Sequence, residues 1–138
     1  MSDEWTSDSL LYRQVHPTWQ KDGLPSSQAF GPTPKDEDKL SVDDAAKVSA
    51  EGSWTHFTKS LGFQSAGTWA VSFGEIEAAG DLDLMKSPVV DEANAAKSNA
   101  AHCLINFSRL TTKGQKKKRA QHLAISASAR GCLFQPPA

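Results

Sequence analysis

The chain has 138 residues, 38% of them hydrophobic, with four Trp and six Phe. That suits one domain burying roughly two-thirds of its unfolded surface, and no apolar run approaches the ~18 residues of a membrane span. The formal charge is −1, but residues 1–92 hold all 16 carboxylates beside 7 basic residues, whereas residues 93–138 hold 8 basic residues and no carboxylate.

In chain order, residues 1–8 read as a flexible acidic tail, and residues 9–138 as one globular domain. Leu10 to His16 alternates as a strand ended by Pro17, with Leu11, Arg13 and Val15 on one face and Tyr12, Gln14 and His16 on the other. Residues 17–39, with four prolines and two glycines, read as an irregular connection holding a short extended piece at Ser27–Phe30. Leu40-Ser41-Val42 is a second short strand. Ser49 caps a helix running to about Leu61, on the stripe Ala50, Trp54, Phe57 and Leu61, and Gly62 closes it. Gly52 inside that helix costs ~1 kcal/mol relative to alanine.

Gly67 to Phe73 alternates as a strand, and Ser72-Phe73-Gly74-Glu75 fits a capping box opening a short helix, Gly74–Ala79. Residues 81–101, rich in Ala, Asn, Ser and Asp, form a second long connection. Cys103 to Phe107 is a strand. Thr112-Lys113-Gly114-Gln115 is another capping box; it opens the longest helix, whose stripe Ala120, Leu123, Ala124 and Ala127 faces the core. Gly131 ends that helix, and Cys132–Gln135 reads as a last strand before Pro136. The pattern predicts an α+β domain: a mixed sheet of about four to five short strands packed against two main helices.

The start Met1-Ser2-Asp3-Glu4 is acidic, where a secretory leader is basic and then apolar. Together with two cysteines at no C-x-x-C spacing, it leads to the expectation of a cytoplasmic protein with reduced thiols. Cys103 and Cys132 lie in apolar strand contexts, which suppress thiolate formation. His16, His56, His102 and His122 show no metal-ligand spacing, and no nucleotide-binding glycine motif occurs, so neither a metal nor a cofactor is expected.

Two features carry chemistry. Lys113, Lys116, Lys117, Lys118 and Arg119 occupy the first two turns of the last helix, the end where the helix dipole disfavours cations. That conflict points to an anionic macromolecule, an acidic protein surface or a nucleic acid, although the chain's own acidic half could also answer it. The second feature is Arg13, on a face shared with Leu11 and Val15, where a guanidinium must find acceptors; Asp36 and Asp44 are the expected structural partners. With His16, the Lys35-Asp36 loop, Ser41 and His102 it could instead build an enzyme site.

Arg13 in Leu-Tyr-Arg, Ser41 in Leu-Ser-Val and Glu75-Ile-Glu77 together resemble the Arg, Ser and Glu-x-Glu order of ADP-ribosyltransferases. The resemblance implies that Arg13 contacts a dinucleotide, Ser41 supports its nicotinamide side and a glutamate stabilises an oxocarbenium ion. A lone serine stands where that family has a Ser-Thr-Ser strand, and Glu75 also fits a helix cap.

Separately, Arg13-Gln14-Val15-His16-Pro17, Ser26–Phe30, Pro32–Asp36, Leu40–Val42, Trp54–Thr58, Gly67–Val71 and Ala101-His102-Cys103 resemble a family of small bacterial proteins to which no activity is attached. The leading expectation is an interaction protein that binds an anionic partner through its basic helix. A small enzyme of ADP-ribosyltransferase type, using Arg13, Ser41 and Glu75 or Glu77, is the alternative.

Overall fold

The computed structural model describes residues 5–32 and 38–136. Its elements are β1 (Leu10–Gln14), β2 (Gln20–Lys21), β3 (Leu24–Pro25), β4 (Lys39–Asp44), α1 (Ala50–Thr55), β5 (Thr68–Ser72), α2 (Phe73–Ala79), β6 (Asp83–Lys86), β7 (His102–Asn106) and α3 (Lys113–Arg130). Five strands form one sheet in the order β5-β1-β4-β7-β6, and each neighbouring pair is antiparallel. The fold is α+β, as the pattern predicts, but the sheet is not mixed. A parallel pair needs a crossover between adjacent strands; here α1 joins β4 to β5, which β1 separates.

The two faces of the sheet are covered by different elements. Leu11 and Val15 of the first strand segment, Leu40 and Val42 of β4, Trp69 and Val71 of β5 and Cys103 and Ile105 of β7 point into the core. Ala120, Leu123, Ala124 and Ala127 of α3 close it, as their helical spacing predicts, with Ala29 and Phe30 of the short helical turn Ser27–Phe30. On the opposite face α1 lies over β1 and β5, so every residue of β5 is buried. The outer faces of β4 and β7 are less covered: Ser41 is exposed, and Asp43 and His102 are half-buried.

Local signals set the helix ends. Both expected capping boxes form: Ser72 and Glu75 at α2, and Thr112 and Gln115 at α3. Ser49 caps α1 by accepting from Gly52 N–H. Beyond Thr55 the helix widens into a π turn, His56–Ser60, where Leu61 N–H reaches back to His56 O. Gly62 (φ 79°) and Gly131 (φ 95°) stop their helices in a backbone region that costs glycine little.

Four segments differ from the sequence reading; one is Ser27–Phe30, expected to be extended and found as a short 3-10 helix that turns Ala29 and Phe30 into the core. Residues 20–25 form a hairpin, β2–β3, around Asp22-Gly23, both at positive φ. Asp83–Lys86, expected within a connection, pairs with β7 as the sheet's edge strand. The expected strand Cys132–Gln135 is reduced to one bridge, Phe134 to Thr68, with Pro136 unable to extend a ladder. Trp5, assigned by sequence to the tail, stacks on Phe73 at 5.9 Å between ring centroids.

Candidate functional site

Two regions collect the residues that carry chemistry: the start of α3 and a cleft on the outer face of the sheet. In α3 the cations divide into two groups. Lys116 pairs with Asp38 (2.8 Å), Arg119 with Asp81 (3.2 Å) and Arg130 with Glu75 (2.8 Å). Lys113, Lys117 and Lys118 are exposed and have no ion pair among the described residues. They span about 7.5 Å along the helix axis at 1.5 Å per residue. Lys113 and Lys117 share a face with Lys116 along a groove floored by Gly31 and Ala120. At the helix start Thr112 Oγ1 accepts from Gln115 N–H and Gln115 Oε1 accepts from Thr112 N–H, closing the capping box beside these lysines.

The cleft is built by sheet register. Asp43 and His102 stand opposite each other on β4 and β7, and Ser41 follows two residues from Asp43, on the same face. His102 Nε2 lies 3.1 Å from Ser41 Oγ, and His102 Nδ1 lies 2.7 Å from the Ser87 carbonyl oxygen. A carbonyl only accepts, so Nδ1 carries the proton and Nε2 accepts from the Ser41 hydroxyl. Ser87 N–H donates to His102 O at 2.9 Å, which fixes the residue from its backbone as well.

The floor of the cleft is a hydrogen-bonded chain. Asp43 accepts from Ser53 Oγ (2.7 Å) and from Asn99 Nδ2 (2.8 Å). Gln14, buried beneath α1, donates to Ser53 Oγ and Thr68 Oγ1, both at 2.9 Å, and its carbonyl accepts from Ser65 Oγ at 2.8 Å. Both amide protons of Gln14 are thereby used, as burial requires. His56, from the π turn, differs: its Nε2 is buried and has no hydrogen-bond partner among the described residues. Tyr12, Phe57, Leu61 and Phe63 supply apolar wall, and the cleft encloses about 170 Å³.

Arg13 joins the cleft from behind. Its Nε donates to Ala29 O (2.7 Å) and its NH1 to Ser41 O (3.0 Å), with the guanidinium 5.3 Å from the Trp19 ring centroid. β1 and β4 pair only at Leu11–Asp44 and Tyr12–Asp43, and where they part the guanidinium meets the Ser41 carbonyl. Of its expected structural partners, Asp44 turns to its own loop and accepts from Ala46 N–H. Asp36, like Lys35, lies outside the described residues.

Arg13, Ser41 and His102 are thus brought to one cleft, and His16, Glu75 and Glu77 lie elsewhere. His16 caps the turn Pro17–Trp19, accepting from Thr18 N–H at 3.1 Å. Glu75 takes both guanidinium nitrogens of Arg130 (2.8 and 3.0 Å) and Ser72 N–H. Burial alone would raise the Glu75 carboxyl, but the hydrogen bonds from Arg130 and Ser72 and the Arg130 charge outweigh it and hold it below the ordinary value. Glu77 edges a separate recess with Asp81, Asp83 and Arg109.

Burial and the nearby Asp44 and Asp43 charges push the Cys103 thiol up to about 11, and burial raises Cys132 too, so neither is poised as a nucleophile. Among the described residues no group of three or more His, Cys, Asp or Glu could hold a metal ion, and no helix is long and apolar enough to cross a membrane.

Sequence reasoning passed over Gln14, Asp43, Ser53, His56 and Ser87. Asp43 was signalled by its two-residue spacing from Ser41, but the others depend on α1 and β6 folding onto the sheet. No family model, no curated protein and no solved structure matches the chain. No family and no activity therefore come to either region from known proteins.

Proposed function

We propose that this protein is an interaction protein that docks a short acidic polypeptide segment through the exposed lysines of α3. The observation that carries the reading is the division of charge on that helix: Lys116, Arg119 and Arg130 are answered within the fold, and Lys113, Lys117 and Lys118 are exposed with no ion pair among the described residues. Three solvated lysines at the dipole's positive end repel one another and gain nothing from the helix. An outside carboxylate relieves that repulsion.

A polypeptide fits the patch better than a nucleic acid does. The patch is about five residues long and carries no aromatic side chain on which a base could stack. It is flanked by Asp38 and Asp81, whose charges repel a long polyanion more than a short segment.

The test is fluorescence anisotropy of a glutamate-rich peptide and of a DNA oligonucleotide, each titrated with the protein at several salt concentrations. An exposed ion pair contributes roughly 0.2–1 kcal/mol, so K113A/K117A/K118A should weaken peptide binding about 3- to 100-fold and flatten its salt dependence. Equal peptide binding by the variant overturns the reading. DNA binding with a steep salt slope and no peptide binding replaces it with a nucleic-acid interface.

A further inference from the structure

We propose that the cleft over Ser41 and His102 is an acyl-transfer site that hydrolyses small carboxylic esters, with Ser41 as nucleophile and His102 as its general base. This activity is independent of docking at α3. Three elements needed to activate a serine stand in sequence here: the hydroxyl, an imidazole nitrogen at 3.1 Å, and an acceptor at 2.7 Å on the far ring nitrogen that selects the productive tautomer. The orienting group is the Ser87 carbonyl rather than a carboxylate. Asp43 stands directly across the sheet from His102. Ser41 is exposed, so a substrate can reach its Oγ.

The rest of the cleft suits an ester. Its 170 Å³ is close to the roughly 150 Å³ of a cavity that takes benzene, so it fits an acetyl-to-butyryl or small aryl acyl group against Phe57, Leu61 and Phe63. His56 lines the same cleft, with its Nε2 buried and without a hydrogen-bond partner among the described residues.

Ser41 Oγ attacks the ester carbonyl carbon while its proton passes to His102 Nε2. The tetrahedral intermediate collapses, the bond to the leaving oxygen breaks, and His102 returns the proton to the departing alcohol. Water then attacks the acyl-Ser41 carbonyl, giving one proton to His102, which restores it to Ser41 as the acid leaves. Ester and water become acid and alcohol, with no other reactant.

The experiment separates acyl transfer from a purely structural hydrogen bond between Ser41 and His102. The full chain is mixed with p-nitrophenyl acetate and p-nitrophenyl butyrate, p-nitrophenolate release is followed, and the acylated residue is located by peptide mass spectrometry. Acyl transfer predicts a burst near one equivalent per chain with the acyl group on Ser41, lost in S41A above the background from surface lysines. H102Q, whose amide still hydrogen-bonds Ser41 but is no base, should slow acylation at least about 100-fold while melting at the wild-type temperature. A fluorophosphonate probe should label Ser41 in the wild type and not in H102Q. No burst in the wild type, acylation unchanged in S41A, or equal rates in H102Q and wild type overturns the proposal.

Discussion

Glu75 shows how one side chain can satisfy a local and a distant requirement together. Its carboxylate accepts from Ser72 N–H, closing the box that starts α2, and from two nitrogens of Arg130 at the far end of α3. E75Q separates these roles, because glutamine preserves the cap but not the charge. The Glu75 carboxyl is held below its ordinary value in the fold, so it binds fewer protons there than in the unfolded chain at moderately acid pH. Its stabilisation is therefore complete above the ordinary carboxylate range and fades as pH falls through the lowered value. At neutral pH the variant should be less stable by roughly 1–2 kcal/mol, since both partners are mostly sheltered and the pairing is bidentate. Urea unfolding at pH 7, 5 and 3 checks this: the gap between E75Q and wild type should hold at the first two and narrow at the third. A gap that is constant with pH would assign the loss to packing instead.

At the scale of elements, legibility followed the range over which each signal acts. The capping boxes at Ser72 and Thr112, the stripe on α3 and the strands around Tyr12, Val71 and Ile105 depend on neighbours a few residues away, and all are present. The β2–β3 hairpin was missed although Asp22-Gly23 is a two-residue turn signature, because the prolines around it read as an irregular connection. β6 was not, because Asp-Leu-Met-Lys has no β-branched residue and becomes a strand only by pairing with β7. The cleft was least legible. Ser41 and His102 were each singled out, yet their contact spans 61 residues and exists only because β4 and β7 are neighbours. The α3 stripe permits a direct check on how the elements are held together. Leu123 is fully buried in the core, and L123A should cost about 2–5 kcal/mol by lost burial and the cavity left behind. Chemical denaturation would measure it; a loss below about 1 kcal/mol would mean that α3 contributes little to the core.

Across the whole molecule, the near-neutral total charge conceals a partial internal cancellation. The basic C-terminal part meets the acidic remainder at a few places: Asp38 with Lys116, Asp81 with Arg119 and Arg109, Asp83 with Arg109, and Glu75 with Arg130. Asp38 (φ 66°) and Asp81 (φ 62°) both sit in the left-handed backbone region, where asparagine is among the few residues tolerated as readily as aspartate. Asparagine at these positions removes the charge without straining the turn. If the free lysines of α3 dock an acidic segment, the two aspartates limit that docking by neutralising Lys116 and Arg119 and by repelling the incoming carboxylates. D38N/D81N should therefore bind the glutamate-rich peptide more tightly, by about 2- to 10-fold, with a steeper salt dependence, because five rather than three cations of the patch become available. The same variant should lose no more than about 1–2 kcal/mol of stability, since both pairs are at least partly solvent-exposed. Anisotropy titrations of the variant beside the wild type, at low and at physiological salt, measure both quantities. Unchanged affinity with the expected small loss of stability would mean that the acidic half serves only to balance α3, and that the exposed lysines meet no partner of this kind.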